Sequence, residues 1–201
     1  MSQSFYSSFY RKAKRPEDLP WHREDMPEWL ARAAAKPKPG RFLDLGCGTG
    51  VFSAQLAQKG WDVTAVDFTP EALRMAEARA REAGVKVRFV QADVLTWGGS
   101  GAFDLVLDSG CLHSLKPADR PRYKSQLLKW LAPKADYVLI HFGRRHFLDW
   151  RPMGPRRRKR REILAELAPE LAGRDYKEHI DKAPLPIGPA IQICEYWFRR
   201  P

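Results

Sequence analysis

The clearest chemical motif in the chain is the segment DLGCGTG, residues 44–50, with its three alternating glycines. Gly46, Gly48 and Gly50 follow directly on a short apolar run and precede a helical pattern. Glycines let a ligand approach the backbone closely, and the free N–H groups at a helix N-terminus attract electronegative atoms of a ligand. The segment therefore predicts a nucleotide-binding loop, to which Cys47 contributes its backbone.

The spacing of the glycines narrows the class of ligand. The dinucleotide fingerprint GxGxxG requires a third glycine where this chain has Val51, and no GK[ST] follows as in a Walker loop. An acid, Asp44, stands two residues before the first glycine. Because a carboxylate in that place repels a pyrophosphate, the loop favours a neutral or cationic adenosine ligand.

Further acids stand at the ends of the apolar runs that follow the loop. Asp67 ends the second run, where a carboxylate can accept hydrogen bonds from both hydroxyls of an adenosine ribose. Phe68 is then expected to lie beside the adenine. Asp93 follows the third run, where its carboxylate can accept a hydrogen bond from the adenine amino group, and Val94 lies next to it. Asp108, which ends the fourth run, is assigned to the same site.

Two groups of residues could act on a second reactant. Cys111 and His113 follow the fourth apolar run, and they are a candidate nucleophile and a candidate base or orienting residue. Packing in a loop is the alternative for the histidine. Near the N-terminus Tyr6, Tyr10 and Trp21 are candidate pocket residues, since an aromatic wall attracts a cation and excludes water. Burial of an ordinary helix face is the alternative for these aromatic residues.

The elements that must position these residues follow from the hydrophobic pattern. From residue 41 onward short apolar runs alternate with helical patterns, which indicates a parallel sheet covered by helices. We treat residues 1–40 as an accessory segment over the sheet and residues 41–201 as a single domain. The predicted strands are 42–45, 63–67, 87–90, 103–108, 137–140, 176–181 and 191–198, and the predicted helices are 51–58, 69–84, 119–131 and 156–171.

Charge is concentrated in one part of the 201-residue chain. The chain has 35 Lys and Arg against 24 Asp and Glu, a formal net charge of +11. Nine basic residues and one acid lie in the segment from Arg144 to Arg161, which we call the basic segment. Its run Arg156–Arg161 is predicted to lie on a solvated amphipathic helix. RNA phosphates, an acidic acceptor and a partner protein are the functional alternatives.

The rest of the composition restricts the class of protein. Three widely separated cysteines without CxxC spacing predict neither a disulfide framework nor a metal site, and they suit a reducing compartment. The start of the chain has no continuous apolar stretch, and no run approaches the roughly 18 apolar residues of a membrane span. We therefore expect a cytoplasmic protein with no leader peptide, no membrane span and no metal.

With these motifs the chain resembles the class I S-adenosylmethionine-dependent methyltransferases over residues 40–145. DLGCGTG is similar to the family's first motif, Asp67 to its ribose-binding acid, and QADVL to its adenine-contacting motif. The resemblance implies a doubly wound α/β fold with one mostly parallel, seven-stranded sheet in the order 3-2-1-4-5-7-6 and an antiparallel last strand. One departure is PKA at residues 133–135, which replaces a glycine pair often found before the fifth strand.

Within that family the segment DSGCLHSL, residues 108–115, resembles the small-molecule branch, which includes thiopurine and tellurite-resistance methyltransferases. In that branch N-terminal aromatic residues cover the cofactor and the acceptor. The resemblance implies S-adenosyl-L-methionine as cofactor, S-adenosyl-L-homocysteine as product and direct displacement, which leaves no covalent step for Cys111. The motifs of base-methylating enzymes, [ND]PP[YFW] and a Pro-Cys pair, are absent from the sequence.

Three functions are compatible with the sequence. Methyl transfer to a small-molecule acceptor is favoured. An RNA or protein methyltransferase that docks its substrate through the basic segment is the first alternative, and a cofactor-binding regulator without turnover is the second. Neither the identity of the acceptor nor the oligomeric state follows from the residues.

Overall fold

The computed structural model describes residues 3–99, 101–145, 156–181 and 190–201. The middle of the basic segment, including Arg151, lies outside these residues. The helices and strands are, in chain order, α1 (Gln3–Lys12), α2 (Glu28–Ala34), β1 (Arg41–Leu45), α3 (Val51–Gln58), β2 (Asp62–Asp67), α4 (Pro70–Glu82), β3 (Arg88–Gln91), β4 (Phe103–Ser109), α5 (Arg120–Trp130), β5 (Leu131–Gly143), α6 (Arg160–Leu167), β6 (Ala172–Asp181) and β7 (Ile191–Arg199).

The strands form one sheet in the order β3-β2-β1-β4-β5-β7-β6. The first five strands pair in parallel, and β7 runs antiparallel to both of its neighbours, β5 and β6. The predicted seven-stranded α/β fold is therefore confirmed. Because parallel strands end at the same edge of a sheet, the acids predicted at the ends of β1, β2 and β4 come together there, at the point where the strand order reverses.

The central strands are buried on both faces because alternate residues pack under different helices. Leu43, Val106 and Leu139 belong to the apolar cluster beneath α5 and α6, whereas Leu105 and Val138 belong to the cluster beneath α2 and α3. This double burial explains why the strands read as nearly continuous apolar runs. It also fixes the sheet as the rigid frame on which the strand-end acids stand.

The first 40 residues occupy two different places. Trp29 and Leu30 of α2 are buried in the apolar cluster on one face of the sheet, so this part of the segment contributes to the core. The helix α1 instead packs against α4, where Tyr10 and Leu19 form a small cluster with Ala72. Only α1 and the turn after it thus lie near the carboxyl ends of the strands.

The prediction of a helix over residues 156–171 is wrong at its start. The helix α6 begins at Arg160, and the residues before it run in extended form beside the end of β5. There Arg158 N donates to the carbonyl of Phe142 at 3.1 Å, and Arg144 N donates to the carbonyl of Arg158 at 3.0 Å. Backbone pairing with a strand end has overridden the helical charge pattern, so the six consecutive cations do not surround one helix.

Several strands are longer than the hydrophobic pattern indicates. The fifth strand begins at Leu131 and the sixth at Ala172, because backbone pairing continues into polar residues. Near the start of β5 the pairing with β4 shifts register, and Lys134 adopts a φ of +61°. That left-handed conformation is one that glycine adopts more easily than lysine. None of the helices in the described ranges combines the length and the apolar character that a bilayer crossing requires.

Candidate functional site

The glycine loop joins β1 to α3 in a conformation that only glycine adopts easily. Gly46, Gly48 and Gly50 have φ angles of +68°, +56° and +71°. The loop is fixed to the neighbouring strand because Gly46 N and Cys47 N donate to the carbonyl of Val66, at 2.8 and 3.1 Å. The predicted loop is thus a turn that lies against the end of β2.

Neighbouring elements approach the loop too closely for a side chain. A Cβ on Gly48 would lie 2.9 Å from the hydroxyl of Tyr10, and one on Gly50 would lie 2.8 Å from the Cβ of Ala76. Contacts under 3.0 Å force one partner to move. The glycines therefore serve two purposes, since they allow the backbone to turn and they allow α1 and α4 to reach it.

Asp67 lies at the end of β2 and turns its carboxylate toward the glycine loop. The carboxylate accepts hydrogen bonds from Gly48 N at 3.0 Å and Thr69 N at 2.8 Å. Its side chain is buried, and desolvation raises its pKa despite these hydrogen bonds. A carboxylate bound to the loop backbone stands where the sequence predicts a ribose-binding acid.

Asp44, at the end of β1, is buried below the loop. Its carboxylate accepts a hydrogen bond from the hydroxyl of Ser53 at 2.6 Å, and this hydroxyl belongs to the first turns of α3. Burial, together with the negative charges of Asp67 and Asp108, raises the pKa of Asp44 to about 7 despite the hydrogen bond from Ser53. The site thus holds a carboxyl group that is hard to ionise until a cation comes near it.

The raised pKa of Asp44 predicts a pH-dependent stability. The pKa is 3.8 in the unfolded chain and about 7 in the folded protein, so the free energy of unfolding falls as the pH rises between these values. Asp44→Asn keeps the shape of the protonated carboxyl group. We expect it to raise the free energy of unfolding by ~3 kcal/mol more at pH 8 than at pH 5, because the wild-type protein loses about that much stability between these pH values.

Urea unfolding of the ligand-free protein at pH 5 and pH 8 measures this effect. Asp62→Asn is the matched control, because Asp62 lies at the opposite end of β2 with an exposed side chain. An equal effect of Asp44→Asn at the two pH values would show that Asp44 has an ordinary pKa.

The end of β3 forms a further part of the site. Asp93 is exposed, and its carboxylate accepts a hydrogen bond from Leu95 N at 2.8 Å, while Val94 is buried behind it. Phe68 is half-buried after β2, and its ring centroid lies 6.0 Å from that of Tyr6. An acid, an apolar wall and an aromatic ring thus flank the end of β2, which is the arrangement expected for a purine.

Asp108, near the end of β4, is the third buried acid assigned to the site from the sequence. Its buried carboxylate accepts hydrogen bonds from Cys111 N at 2.7 Å, from Leu112 N at 3.0 Å and from the hydroxyl of Tyr123. These donors belong to the chain itself, so the carboxylate holds the turn Leu112–Ser114, as the carboxylate of Asp67 holds the glycine loop; its contact with a cofactor stays a prediction. Burial also raises the pKa of Asp108, to about 6.

His113 lies in that turn and is buried, with 7% of its surface exposed. Its ring stacks on Phe142 with a centroid distance of 4.4 Å and meets His141 edge-on at 5.6 Å. Desolvation and His141 hold the pKa of His113 well below its usual value, so the imidazole is neutral. Its Nδ1 is buried and has no hydrogen-bond partner in the described part of the chain. A buried imidazole that is held neutral in this way is a weak base, so the geometry favours a packing or orienting role for His113.

The helix α1 covers the site through Tyr6 and Tyr10, and we call these two tyrosines the roof. The hydroxyls of Tyr6 and Ser114 lie 2.5 Å apart, which connects α1 to the turn that carries His113. Tyr10 is buried above Gly48, and its hydroxyl accepts a hydrogen bond from Trp21 Nε1 at 3.2 Å. Trp21 is 38% exposed and packs on the outer side of these tyrosines, so it supports the roof from outside. Cys111 is not part of this contact; it lies near Gly46, in the first half of the glycine loop.

Several residues of the site were not predicted from the sequence. Ser53 and Ser114 have no sequence pattern that marks them, because their roles depend on contacts with Asp44 and with α1. His141 and Phe142 follow the predicted fifth strand directly, so the rule that strand ends carry function could have identified them. Both lie in β5, beyond the predicted end of that strand.

The electrostatics of the site favour a cation. Asp44, Asp67 and Asp108 are all buried within it, and none of them forms an ion pair within the described residues. Uncompensated buried carboxylates are unfavourable, and an approaching positive charge relieves them. A possible metal-binding group in the described part, Glu17 with His22 and Glu24, lies apart from these acids, and Arg79 already pairs with Glu24 at 2.9 Å.

Comparison with known proteins identifies the type of domain. Residues 42–134 match the family described as "Methyltransferase domain". The chain is 31% identical over 152 residues to 2-heptyl-1-hydroxyquinolin-4(1H)-one methyltransferase of Mycobacteroides abscessus, an alignment that covers 72% of this chain and 66% of that protein. The curated relatives are longer, and the chain spans 32% to 66% of the length of those it matches.

Two solved structures show the same fold. The N-methyltransferase NodS from Bradyrhizobium japonicum WM9, in complex with S-adenosyl-L-homocysteine, superposes with a TM-score of 0.72 and 21% identity, over 98% of each chain. TehB from Haemophilus influenzae superposes with a TM-score of 0.74 and 15% identity, over 88% of this chain and 63% of that one.

Proposed function

The chain belongs to the class I S-adenosylmethionine-dependent methyltransferases, and from this premise we propose that it transfers the methyl group of S-adenosyl-L-methionine to a small-molecule acceptor. One observation carries the proposal. The buried acids Asp44, Asp67 and Asp108 surround a glycine loop, have raised pKa values and form no ion pair within the described residues. This site suits a cationic adenosine cofactor and repels a phosphorylated one.

Each part of the cofactor has a residue that suits it. Asp67 accepts hydrogen bonds from the ribose hydroxyls, because its carboxylate is fixed at the end of β2. Phe68 and Val94 flank the adenine, and Asp93 accepts a hydrogen bond from its amino group. The methionine part follows the backbone of Gly46–Gly50, above Asp44.

The chain's own residues have little covalent chemistry to perform. When bound, S-adenosyl-L-methionine supplies a methyl group that is already activated on a sulfonium. The glycine loop and α1 align the reactants and exclude water from them, which is a large part of catalysis in a direct displacement. His113 orients the acceptor in this proposal, because the low pKa of its buried imidazole makes it a weak proton acceptor.

The roof favours a small acceptor over a macromolecule. The contacts of Tyr6 with Ser114 and of Tyr10 with the glycine loop span the site, so a bulky chain has little access to the methyl group. The relatives support the same interpretation, since they include a quinolone methyltransferase and methyltransferases of ubiquinone biosynthesis and of demethylmenaquinone. Residues 1–40 thus act in part as a lid.

A methyl-transfer screen tests the proposal. Purified protein is incubated with S-adenosyl-L-methionine labelled in the methyl group and with thiols, phenols, amines, metalloid oxyanions or total RNA. We expect label in one of the small-molecule classes. Label in RNA alone would assign the chain to the first alternative. Cofactor binding without transfer to any class would favour a regulator.

We also predict that the roof affects turnover more than cofactor affinity. Tyr6→Phe removes the hydrogen bond to Ser114, and we expect the kcat/KM for the acceptor to fall about tenfold, with less than a twofold change in cofactor affinity. Steady-state kinetics and calorimetry separate the two effects. Ser114→Ala is the partner variant, and in a double-mutant cycle the second substitution should add little. Additive losses would mean that the two hydroxyls act independently.

A further inference from the structure

The basic segment returns to the site at the end of the sheet. Arg156 N donates to the carbonyl of His113 at 2.9 Å, and Arg158 pairs with Phe142 on the adjacent strand end. The basic segment thus contacts both His113 and Phe142, whose rings stack on each other. The basic segment therefore lies on the side of the proposed methyl-transfer site where the methyl acceptor is expected to bind.

Part of the positive charge serves the fold. Arg158 is buried, and its Nη2 pairs with Glu166 at 2.6 Å and donates to the carbonyl of Glu162 at 3.0 Å. Arg160 lies over the ring of Tyr176 at 4.2 Å. These contacts involve only part of each guanidinium group. They do not account for Arg158 Nη1, which is buried without a hydrogen-bond partner among the residues that the structure describes.

A third arginine joins the group from another element. Arg120 begins α5, it is half-buried, and its Nε is buried without a partner in the described ranges. Burial, Arg158 and Arg156 lower the pKa of Arg120, so the three cations lie close enough to repel one another. Arg158 and Arg120 likewise disfavour the charged form of His141. A cluster of partly desolvated guanidinium groups is unfavourable unless an anion binds to it.

The acids nearby do not compensate this cluster fully. One oxygen of the Glu166 carboxylate pairs with Arg158 and the other is buried without a hydrogen-bond partner in the described residues. The carboxylate of Glu162 accepts the hydrogen bond from Lys159 N that caps α6, and both acids partly offset the lowering of the pKa of Arg120. The guanidinium of Arg156 is exposed beside them. Three cations therefore face two carboxylates, each of which already has a partner.

We propose that Arg120, Arg156 and Arg158 form an oxyanion-binding subsite, and that the methyl acceptor is a small molecule carrying a carboxylate or phosphate group that docks there. The proposal rests on the proposed function and names its substrate class. Guanidinium groups bind such oxyanions through paired hydrogen bonds, and they bind them more strongly where water is excluded. The stacked rings of His113 and Phe142 offer a flat apolar face beside the cations, which suits an aromatic acid.

The test uses binding of three probes to the full-length protein saturated with S-adenosyl-L-homocysteine. The probes are 4-hydroxybenzoate, the neutral 4-hydroxybenzamide and phenyl phosphate, each titrated by calorimetry at low salt. We expect at least one anionic probe to bind about tenfold more tightly than the amide. The two anions distinguish a carboxylate from a phosphate subsite.

Variants connect the preference to the named residues. Arg156→Gln and Arg120→Gln should each reduce the preference for the anion about tenfold. Arg81→Gln is the matched control, since this exposed arginine ends α4 at the opposite edge of the sheet. Because Arg120 is half-buried, circular dichroism checks its fold, and Arg156→Glu, at an exposed position, provides a second variant that should abolish the preference.

Each outcome separates this proposal from the proposed function. Binding of both anions no tighter than that of the amide, absence of binding by all three probes, or a preference that survives both arginine variants would overturn the oxyanion subsite, even with S-adenosyl-L-homocysteine bound. A single-stranded RNA that binds through Arg156 while the acids do not would replace it with a nucleic-acid surface. Failure of S-adenosyl-L-homocysteine to bind would overturn the proposed function, and the same titrations on the free protein would then decide the subsite.

Discussion

Asp67→Ala is expected to weaken binding of S-adenosyl-L-homocysteine at least ~100-fold and to leave the sheet folded. The carboxylate is proposed to accept two hydrogen bonds from the ribose, and hydrogen bonds to a charged group contribute about 1.5–3 kcal/mol each. Their loss corresponds to about two or more orders of magnitude in the dissociation constant. The substitution also frees Gly48 N and Thr69 N, which loosens the loop that the cofactor follows.

Calorimetric titration at pH 8 measures this loss. Asp62→Ala is the matched control. It also removes an aspartate carboxylate, but from the exposed end of the same strand, so the affinity for S-adenosyl-L-homocysteine should not change. Asp67→Asn keeps the size of the side chain, so it separates lost charge from lost packing. Wild-type affinity in Asp67→Ala would remove the ribose assignment.

Gly48→Ala is expected to weaken cofactor binding at least tenfold and to destabilise the protein by about 1–2 kcal/mol. The residue has a φ of +56°, which is strained for any residue with a Cβ, and the added methyl group would lie 2.9 Å from the hydroxyl of Tyr10. The same methyl group occupies the surface along which the cofactor is proposed to lie.

Two further variants divide the effect into its causes. Gly84→Ala is the matched control, because Gly84 has a φ of +65° with nothing near its Cβ position, so it should lose stability but no affinity. In the Tyr10→Phe background the contact with the hydroxyl disappears. There, Gly48→Ala should cost less stability and still bind weakly. Restored affinity in that double variant would mean that the cofactor does not lie against Gly48.

The parts of the fold that the sequence predicts are those with a strong local pattern. Strands β1, β2 and β4 are buried on both faces and carry an acid at their last or second-last residue, so their existence and their functional ends are both visible in the residues. The topology adds what no single segment contains, because it brings Asp44 and Asp67 to one edge of the sheet. Resemblance to a known family supplied the strand order.

The errors arise where distant contacts decide. The charge pattern of the run Arg156–Arg161 is compatible with a helix, but backbone pairing with Phe142 keeps its first part extended. Local patterns also do not show that the donors of the following turn bind the carboxylate of Asp108, or that Trp21 packs against two tyrosines with part of its surface exposed. The assignment of these two residues to the site stays a prediction. None of these outcomes follows from a local pattern.

The most direct test of the account compares methyl transfer by the wild-type protein and by Asp67→Ala under identical conditions. Methyl-labelled S-adenosyl-L-methionine and the best acceptor from the screen are supplied, and labelled product and S-adenosyl-L-homocysteine are both counted. We predict one labelled product per S-adenosyl-L-homocysteine with the wild-type protein, and at least a ~100-fold lower rate with the variant at subsaturating cofactor. Equal rates for the two proteins, or no labelled product from either, would contradict the assignment of the acid-lined glycine loop as a methyl-transfer site.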